Sequence, residues 1–259
     1  MWTPIGLVSL FIVVFVVALL AQLPLAWVLG QAGLDRAGIS HGRVTGTVWS
    51  GQVSGLQVMG QPIGRVSLDH QPGALLSGRV AYRLTFRGET GEGRGEVAVG
   101  LDRTVRVQDL VADIDVQSLR RLQPQLRQVP SDLQVTLSDL VIGADRRCRS
   151  ATGQLRTDVL EAIGPRLDWA GPVLQGPLRC EAGALGLTLA GGAPGEDRIE
   201  VEGQVALDTQ IYRVEARVET GAPRVAETVR ALGFAGADGT YAYRKTNAPQ
   251  AGADLGGQK

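Results

Sequence analysis

Hydrophobic side chains recur at every second position along much of this chain. The stretch RVAYRLTFRG, residues 79–88, places its large apolar side chains on one side and Arg83 and Thr85 on the other. A period of two residues is typical of a β-strand with one buried face. Similar stretches, separated by turn residues, lie at residues 96–101, 105–116, 132–143, 185–192, 198–208 and 211–219. The sequence therefore predicts an all-β fold of short antiparallel strands.

Two local features refine this prediction. The segment RGETGEGRG, residues 87–95, is charged and rich in glycine, so we expect it to be the loop of a β-hairpin. Further on, Val105 and Val107 are followed by Leu110 and Ala112 at a shifted spacing. Such a change of phase inside one strand predicts a β-bulge or a bend.

Helical patterns are scarce. The segment APRVAETVRALG, residues 222–233, predicts a short helix with Pro223 in its first turn and Gly233 as its C-terminal cap. A second segment, residues 116–126, allows about two helical turns before Pro124. A long antiparallel sheet with so few helices to cover its apolar face must curl or partly close on itself. A curled sheet would form an apolar groove.

An apolar segment precedes the strands. Residues 5–23 contain no charged side chain, and about 20 such residues cross the hydrocarbon core of a bilayer as a helix. Trp2 and Trp27 flank the segment, as interfacial aromatic residues do. A cleaved signal peptide is the alternative, although MWTP at residues 1–4 lacks the usual basic residues.

The predicted organisation follows from these segments. Residues 1–4 form a short cytoplasmic N-terminus, and residues 5–29 form a single transmembrane anchor. Residues 30–246 form a β-rich domain, and residues 247–259, which lack apolar periodicity, form a disordered tail.

The chain has two cysteines, Cys148 and Cys180, each in a strand-like stretch. An even number of cysteines is compatible with one disulfide, and stable disulfides occur in oxidising compartments. Two unpaired buried thiols are the alternative. No C-x-x-C motif is present, so the sequence does not indicate a zinc site or a redox centre. The anchor and the cysteine pair together predict a bacterial inner-membrane protein with a periplasmic domain.

Composition and motifs argue against catalysis. The chain has 26 basic and 26 acidic residues, so no net charge favours nucleic acid as a partner. His41 and His70 stand outside any metal-binding motif. No combination of residues provides a nucleophile, a base and an oxyanion site. We therefore expect no enzyme activity, no catalytic residues, no cofactor and no metal.

Two charged clusters leave alternatives open. Asp113 and Asp115 project to the same face of a strand, where they form a calcium site or, as we expect, a solvated face. The cluster of Arg146, Arg147 and Arg149 is either a contact for lipid headgroups or an acidic partner, or a plain exposed strand end.

The segment VTGTVWSGQVSGLQV, residues 44–58, is unusual for a strand because it contains three glycines and one tryptophan. Its apolar side changes twice, close to Gly51 and Gly55, and glycine permits the bulge or turn that each change requires. We expect Trp49 to be a buried ring at this bend of the sheet. The alternative is that Trp49 is exposed and contacts another protein.

This segment resembles the type II secretion system protein N family, which has a G-T-x-W-x-G segment after an N-terminal membrane anchor. Here the segment consists of Gly46, Thr47, Trp49 and Gly51. A P-x-x-L-L-x-G loop of the family is matched by Pro72, Leu75, Leu76 and Gly78. Later similarities are GPLRCEAG, with Glu181, Ala182 and Gly183, and a G-x-Y ending at Gly239 and Tyr241.

The resemblance implies a single-pass inner-membrane protein with its C-terminal domain in the periplasm. Such a protein would be an accessory component of the machine that exports folded periplasmic proteins through an outer-membrane secretin, with other secretion components as its partners. The family has no known catalytic residues. AsmA-like proteins, which also join an anchor to repeated strands and are associated with lipid transport, give the alternative function, with lipid bound in an apolar groove. An envelope hydrolase is a third and weaker possibility, because no catalytic set is present.

Overall fold

The computed structural model describes residues 11, 14, 15, 22–31, 38–58, 60–119, 129–192 and 197–248. Within them, 15 strands form one antiparallel sheet whose order closely follows the chain. The first strands are β1 Ile39–Ser40, β2 Val44–Gly46, β3 Ser50–Val58, β4 Gln61–His70, β5 Arg79–Gly88, β6 Gly91–Gly100 and β7 Val105–Asp115. The others are β8 Asp132–Ile142, β9 Cys148–Thr157, β10 Leu174–Glu181, β11 Ala184–Gly191, β12 Arg198–Ala206, β13 Ile211–Glu219, β14 Ala235–Ala237 and β15 Thr240–Thr246. The predicted all-β antiparallel fold is confirmed.

The hairpin between β5 and β6 is tighter than predicted. Its turn consists of Glu89 and Thr90 alone, and Gly88 pairs with Gly91. The glycine-rich segment is therefore mostly strand, because the ladder of a sheet is made by backbone groups that any residue carries. Glycine is needed here for space, since a side chain on Gly93 would overlap the ring of Phe86 across the ladder.

Bulges occur at two of the three predicted changes of phase, after Val107 and near Gly55, whereas the pairing at Gly51 is regular. The pairing of β6 with β7 shifts between Arg94 and Glu96, and Asp109 on β7 has a positive φ of 49°. The pairing of β3 with β4 shifts after Val53, next to Gly55, whose φ is 69°. The extra residue of a bulge restores the apolar side chains to one face, which explains the interrupted period.

Three α-helices are described: α1 Leu25–Gln31, α2 Val159–Ile163 and α3 Pro223–Ala231. Short 3₁₀ turns lie at Pro72–Ser77, Val116–Ser118 and Gly164–Leu167. Helix α3 confirms the prediction, with Pro223 in its first turn and Gly233 beyond its end at a φ of 92°. Helix α2 was not predicted, because its five residues are too few to show a helical period.

The sheet is open, so the expected partial closure is wrong. At one edge β1 and β2 pair with β3, and at the other β14 pairs with β15. Both edges are formed by short segments that lie close in sequence to the strands they pair with. Strand β14 folds back onto β15 through a two-residue turn at Asp238 and Gly239, whereas Pro24 forms a bridge to Thr47 beside β2. The expected curl of the sheet stays a prediction.

The largest buried cluster lies in the C-terminal part of the sheet. Side chains of β10 to β15 pack there against helix α3, and Tyr241, with 2% of its surface exposed, is at the centre. The segment from α2 to Trp169 packs against the same cluster. Among the described residues, this is the region where helices cover the apolar side of the sheet.

Several predictions fall on other parts of the chain. Most of the predicted anchor, residues 5–29, and residues 249–259 of the predicted tail lie outside the described residues, as do residues 120–126 of the second predicted helix. None of the described helices combines the length and the apolar character that a bilayer crossing needs.

Candidate interaction surface

One face of the sheet is apolar across its strands. The side chains of two residues paired across antiparallel strands point to the same face of the sheet. Rows of paired residues therefore show whether each face is apolar or polar. One row runs from β3 to β10 through Val53, Val66, Phe86, Gly93, Ala112, Val135, Leu155 and Gly176. A second row continues from β8 to β13 through Leu137, Gly153, Leu178, Leu187, Gly203 and Val214. We call this side the apolar face.

The opposite side, the polar face, carries charged and amide side chains in register. One row consists of Asp69, Arg83, Glu96, Gln108, Asp139 and Thr152. Cross-strand ion pairs join Arg83 to Glu96 at 3.1 Å and Arg87 to Glu92 at 2.9 Å. These pairs are exposed and contribute little to stability, but they keep this face solvated.

The apolar face is covered unevenly. Helix α3 and the α2 segment cover it over β10 to β15. Over β5 and β6 the paired residues Val80 and Val99 remain exposed, Val99 to 43%. The apolar face is therefore least covered over β5 and β6.

The two motifs that carry the family resemblance meet at one end of the sheet. Trp49 belongs to the first motif, and its carbonyl oxygen accepts a hydrogen bond from the backbone N–H of His70 at 2.8 Å. His70 lies two residues before Pro72 of the second motif. The rings of Trp49 and His70 meet edge to face, with centroids 4.9 Å apart, and His70 also contacts Tyr82 at 5.2 Å.

The prediction that Trp49 is buried is wrong. Its side chain retains 40% of its surface exposed, because it lies in the turn between β2 and β3, at the end of the sheet, and packs on His70 from one side. The glycines and Thr47 act locally: Gly46 has a φ of 89°, and the Thr47 hydroxyl accepts from the Trp49 N–H at 3.3 Å. The motif therefore shapes a turn that presents an aromatic ring.

The second motif forms the 3₁₀ turn Pro72–Ser77. Gly78 ends this turn with a φ of 67°, and its N–H donates to the carbonyl of Leu75 at 3.0 Å. Leu76 projects from the turn and is 95% exposed. The motif thus presents leucine side chains at the surface, and the sequence pattern alone does not reveal this.

Cys148 and Cys180 form a disulfide between β9 and β10, with Cα atoms 5.5 Å apart. These strands are connected by residues 158–173 at one end only. At the other end the regular pairing stops at Leu178 and Gly153, and the disulfide joins the strands beyond that point. The bond therefore holds together the two halves of the sheet where the backbone ladder ends.

The remaining predicted residues do not form a site. His41 is exposed, and His70 lies in the aromatic contact described above. Among the residues described, no three histidine, cysteine or acidic side chains are grouped as metal ligands. Arg149 pairs with Asp145 at 2.7 Å, whereas the Arg147 side chain donates to the carbonyl of Ala182.

Electrostatic effects on the titrating groups are local. Desolvation, and then the neighbouring carboxylates of Asp113, Asp158 and Asp115, raise the pKa of Asp132. Hydrogen bonds from Thr104 lower the pKa of Asp102 in the turn between β6 and β7. Burial raises the pKa of the Tyr82 phenol on the apolar face.

Comparison with known proteins agrees with the two motifs. Residues 37–244 match the family described as type II secretion system protein N. No curated protein and no solved structure gives a significant match to the chain. The matched residues extend from the start of the sheet into its last strand, β15. Because the match covers most of the sequence, the chain belongs to the type II secretion system protein N family.

Proposed function

We propose that this protein is an accessory, non-catalytic component of the type II secretion system that supports export of folded proteins by binding other components. The observation that carries the proposal is the family match over residues 37–244. The apolar face over β5 and β6 is the surface that we assign to binding, because it is open while the opposite face is charged.

We further propose that the predicted anchor, residues 5–29 with the uncharged span 5–23, holds the protein in the inner membrane and that the sheet lies in the periplasm. The lack of any charge in residues 5–23 supports the anchor. The disulfide between Cys148 and Cys180 supports an oxidising compartment.

Alkaline phosphatase fused after Ala248 tests this topology, because the enzyme needs an oxidising compartment to fold. We expect an active fusion that remains with membranes after an alkaline wash. A fluorescent protein that matures only in the cytoplasm, fused at the same position, is the control and should stay dark. An inactive phosphatase at full expression, or release of the protein by the wash, would contradict the placement.

Site-specific photocross-linking in cells tests the binding surface. A photoreactive residue at Val99 reports on the apolar face, and one at Arg94 on the same strand reports on the polar face. We expect adducts at position 99 that contain secretion components, identified with antibodies, and that disappear when those components are deleted. Equal labelling from both positions, or adducts unaffected by the deletion, would refute the assignment.

A second candidate function is lipid binding or lipid transport along the apolar face. The observation that favours it is the continuity of apolar and glycine residues across many strands, with Val99 and Val205 left exposed. Mass spectrometry of the protein purified in detergent should then find lipid retained in a fixed ratio. Loss of that lipid in a Val99→Glu variant, but not in an Arg94→Glu variant, would favour this function over a purely structural one.

A further inference from the structure

Three turns that present apolar side chains lie at the same end of the sheet. They are the turns between β2 and β3, between β4 and β5, and between β6 and β7. Successive connections of an antiparallel sheet alternate between its two ends, so these three share one end while the β5–β6 turn at Glu89 lies at the other. We call this the 47–49 end of the sheet.

The tips of these turns are apolar and exposed. Leu76 is 95% exposed and Leu101 is 90% exposed, and Trp49 retains 40% of its surface. Leu101 lies beside the second turn. A β-carbon built on Gly78, which ends that turn, would be 3.4 Å from Leu101 Cδ1. Isolated exposed leucines are common, but several that project from neighbouring turns form a patch that indicates a contact.

The chain enters the sheet at this same end. The backbone N–H of Val48 donates to the carbonyl oxygen of Leu23 at 3.0 Å, and Pro24 forms a bridge to Thr47. Leu25, which follows, is buried against Gly51. Leu23 is the last residue of the uncharged segment 5–23. The turn that carries Trp49 is therefore hydrogen-bonded to the point where the proposed anchor leaves the bilayer.

The other two turns project from the same end but farther along the strands. In the paired row Ser50, Asp69, Arg83 and Glu96, Trp49 lies one residue beyond the row and Leu101 lies five. Neighbouring strands are about 4.8 Å apart, so the turns after β4 and β6 lie within about 20 Å of the anchor exit along the sheet. Charged side chains accompany the apolar tips: Arg79 and Arg103 flank Leu76 and Leu101 and are exposed, as is Asp102 between Leu101 and Arg103. Apolar and aromatic tips with adjacent arginines suit the interface of an anionic bilayer.

We propose that the 47–49 end of the sheet rests on the membrane, with Trp49, Leu76 and Leu101 inserted into the lipid interface beside the anchor. This contact is distinct from the binding face proposed above, and it rests on the proposed anchorage of residues 5–23. This membrane contact would fix the orientation of the sheet relative to the bilayer, with the strands extending away from the lipid surface.

Single labelled cysteines in the full chain test the contact. The only two cysteines, Cys148 and Cys180, are joined, so a cysteine introduced by Leu76→Cys or Leu101→Cys takes up the label alone. Glu89→Cys, at the opposite end of β5, is the matched control. It lies about 30 Å from the 47–49 end, the length of a ten-residue strand.

Each labelled protein is reconstituted into vesicles of phosphatidylethanolamine and phosphatidylglycerol. We expect brominated acyl chains to quench the fluorescence at positions 76 and 101, and iodide in the water to quench it at position 89. Aqueous behaviour at positions 76 and 101, with the protein alone in the vesicles, would overturn the proposal and make the patch a contact for another protein.

A second variant separates insertion from anchorage. In a Ser77→Cys reporter, the substitutions Leu76→Asp and Leu101→Asp should abolish lipid quenching while the chain still floats with vesicles after an alkaline wash. These side chains are almost fully exposed, so the fold should be kept. Loss of flotation for the parent chain would refute the anchor itself, whereas flotation without quenching in the parent reporter would refute only the seating of the sheet.

Discussion

Leu25 packs directly over Gly51, at a distance that leaves no room for a β-carbon on the glycine. The backbone of Gly51 has no positive φ, so glycine is required here for space and not for conformation. The side chain of Leu25 is 4% exposed and fixes the first helix to the first long strand. The need for glycine at position 51, the last residue of the G-T-x-W-x-G motif, is thus explained by Leu25, which lies outside the motif.

Gly51→Ala should destabilise the protein, because the new methyl group meets Leu25 and the carbonyls of Thr47 and Thr45. Overpacking of this kind typically costs about 1–3 kcal/mol. Chemical denaturation should show the loss, and Leu25→Ala in the same chain should relieve part of it. Gly73→Ala is the control, since a β-carbon there would have open space within 4 Å. Equal effects at positions 51 and 73 would contradict the packing account.

Trp49→Ala should be tolerated better than the loss of a buried aromatic residue. Truncation of a fully buried ring typically costs about 3–5 kcal/mol, and we expect this for Tyr241→Ala, whose side chain is 2% exposed. Trp49 loses mainly its edge-to-face contact with His70, and such contacts contribute about 0.5–1.5 kcal/mol beyond area burial. Urea unfolding of both variants checks the order, and a larger loss for Trp49→Ala than for Tyr241→Ala would be incompatible with it.

Removal of the disulfide should destabilise the protein strongly. The two cysteines are separated by 32 positions, and loop-entropy arguments give about 3–4 kcal/mol for a loop of this length. We expect Cys148→Ser with Cys180→Ser to unfold at lower denaturant concentration, by the same amount as the reduced parent protein. A double variant as stable as the oxidised parent would show that the sheet ends there need no covalent link.

Asp132→Asn should stabilise the protein at neutral pH. The folded state raises the pKa of Asp132, through desolvation and then through Asp113, so the protonated form is favoured in the folded protein. The stabilisation by protonated Asp132 is fully present at pH values below the ordinary pKa of aspartate. It is lost as the pH rises through the raised pKa of Asp132 in the folded protein. At pH 7 the charge is therefore unfavourable, as expected for a residue paired directly with Asp115.

Thermal melts over a range of pH check this prediction. The gain in Tm of Asp132→Asn should be small, because the side chain is largely exposed, and it should shrink as the pH falls to about 4 and below. Glu227→Gln removes one negative charge from the exposed side of helix α3, over the C-terminal strands, and serves as the control. A gain that grows with acidification would reverse the sign and refute the explanation.

Features that depend on local pattern could be predicted from the order of the residues. The alternation in residues 79–88 identified a strand, Pro223 and Gly233 bounded a helix, and the change of phase after Val107 predicted a bulge. The pairing of Cys148 with Cys180 was also predictable, since only two cysteines are present. Each of these signals lies within a few neighbouring residues or in a simple count.

Features that depend on contacts between distant segments could not be predicted in this way. The exposure of Trp49 is set by His70, and the need for glycine at position 51 is set by Leu25. The segments at the edges were also found only in the structure: β14 pairs with β15, and Pro24 forms a bridge to Thr47. The residue pattern of a strand predicts which of its faces is apolar. It does not predict which segment covers that face or pairs with an edge, because burial depends on which segments the fold brings together.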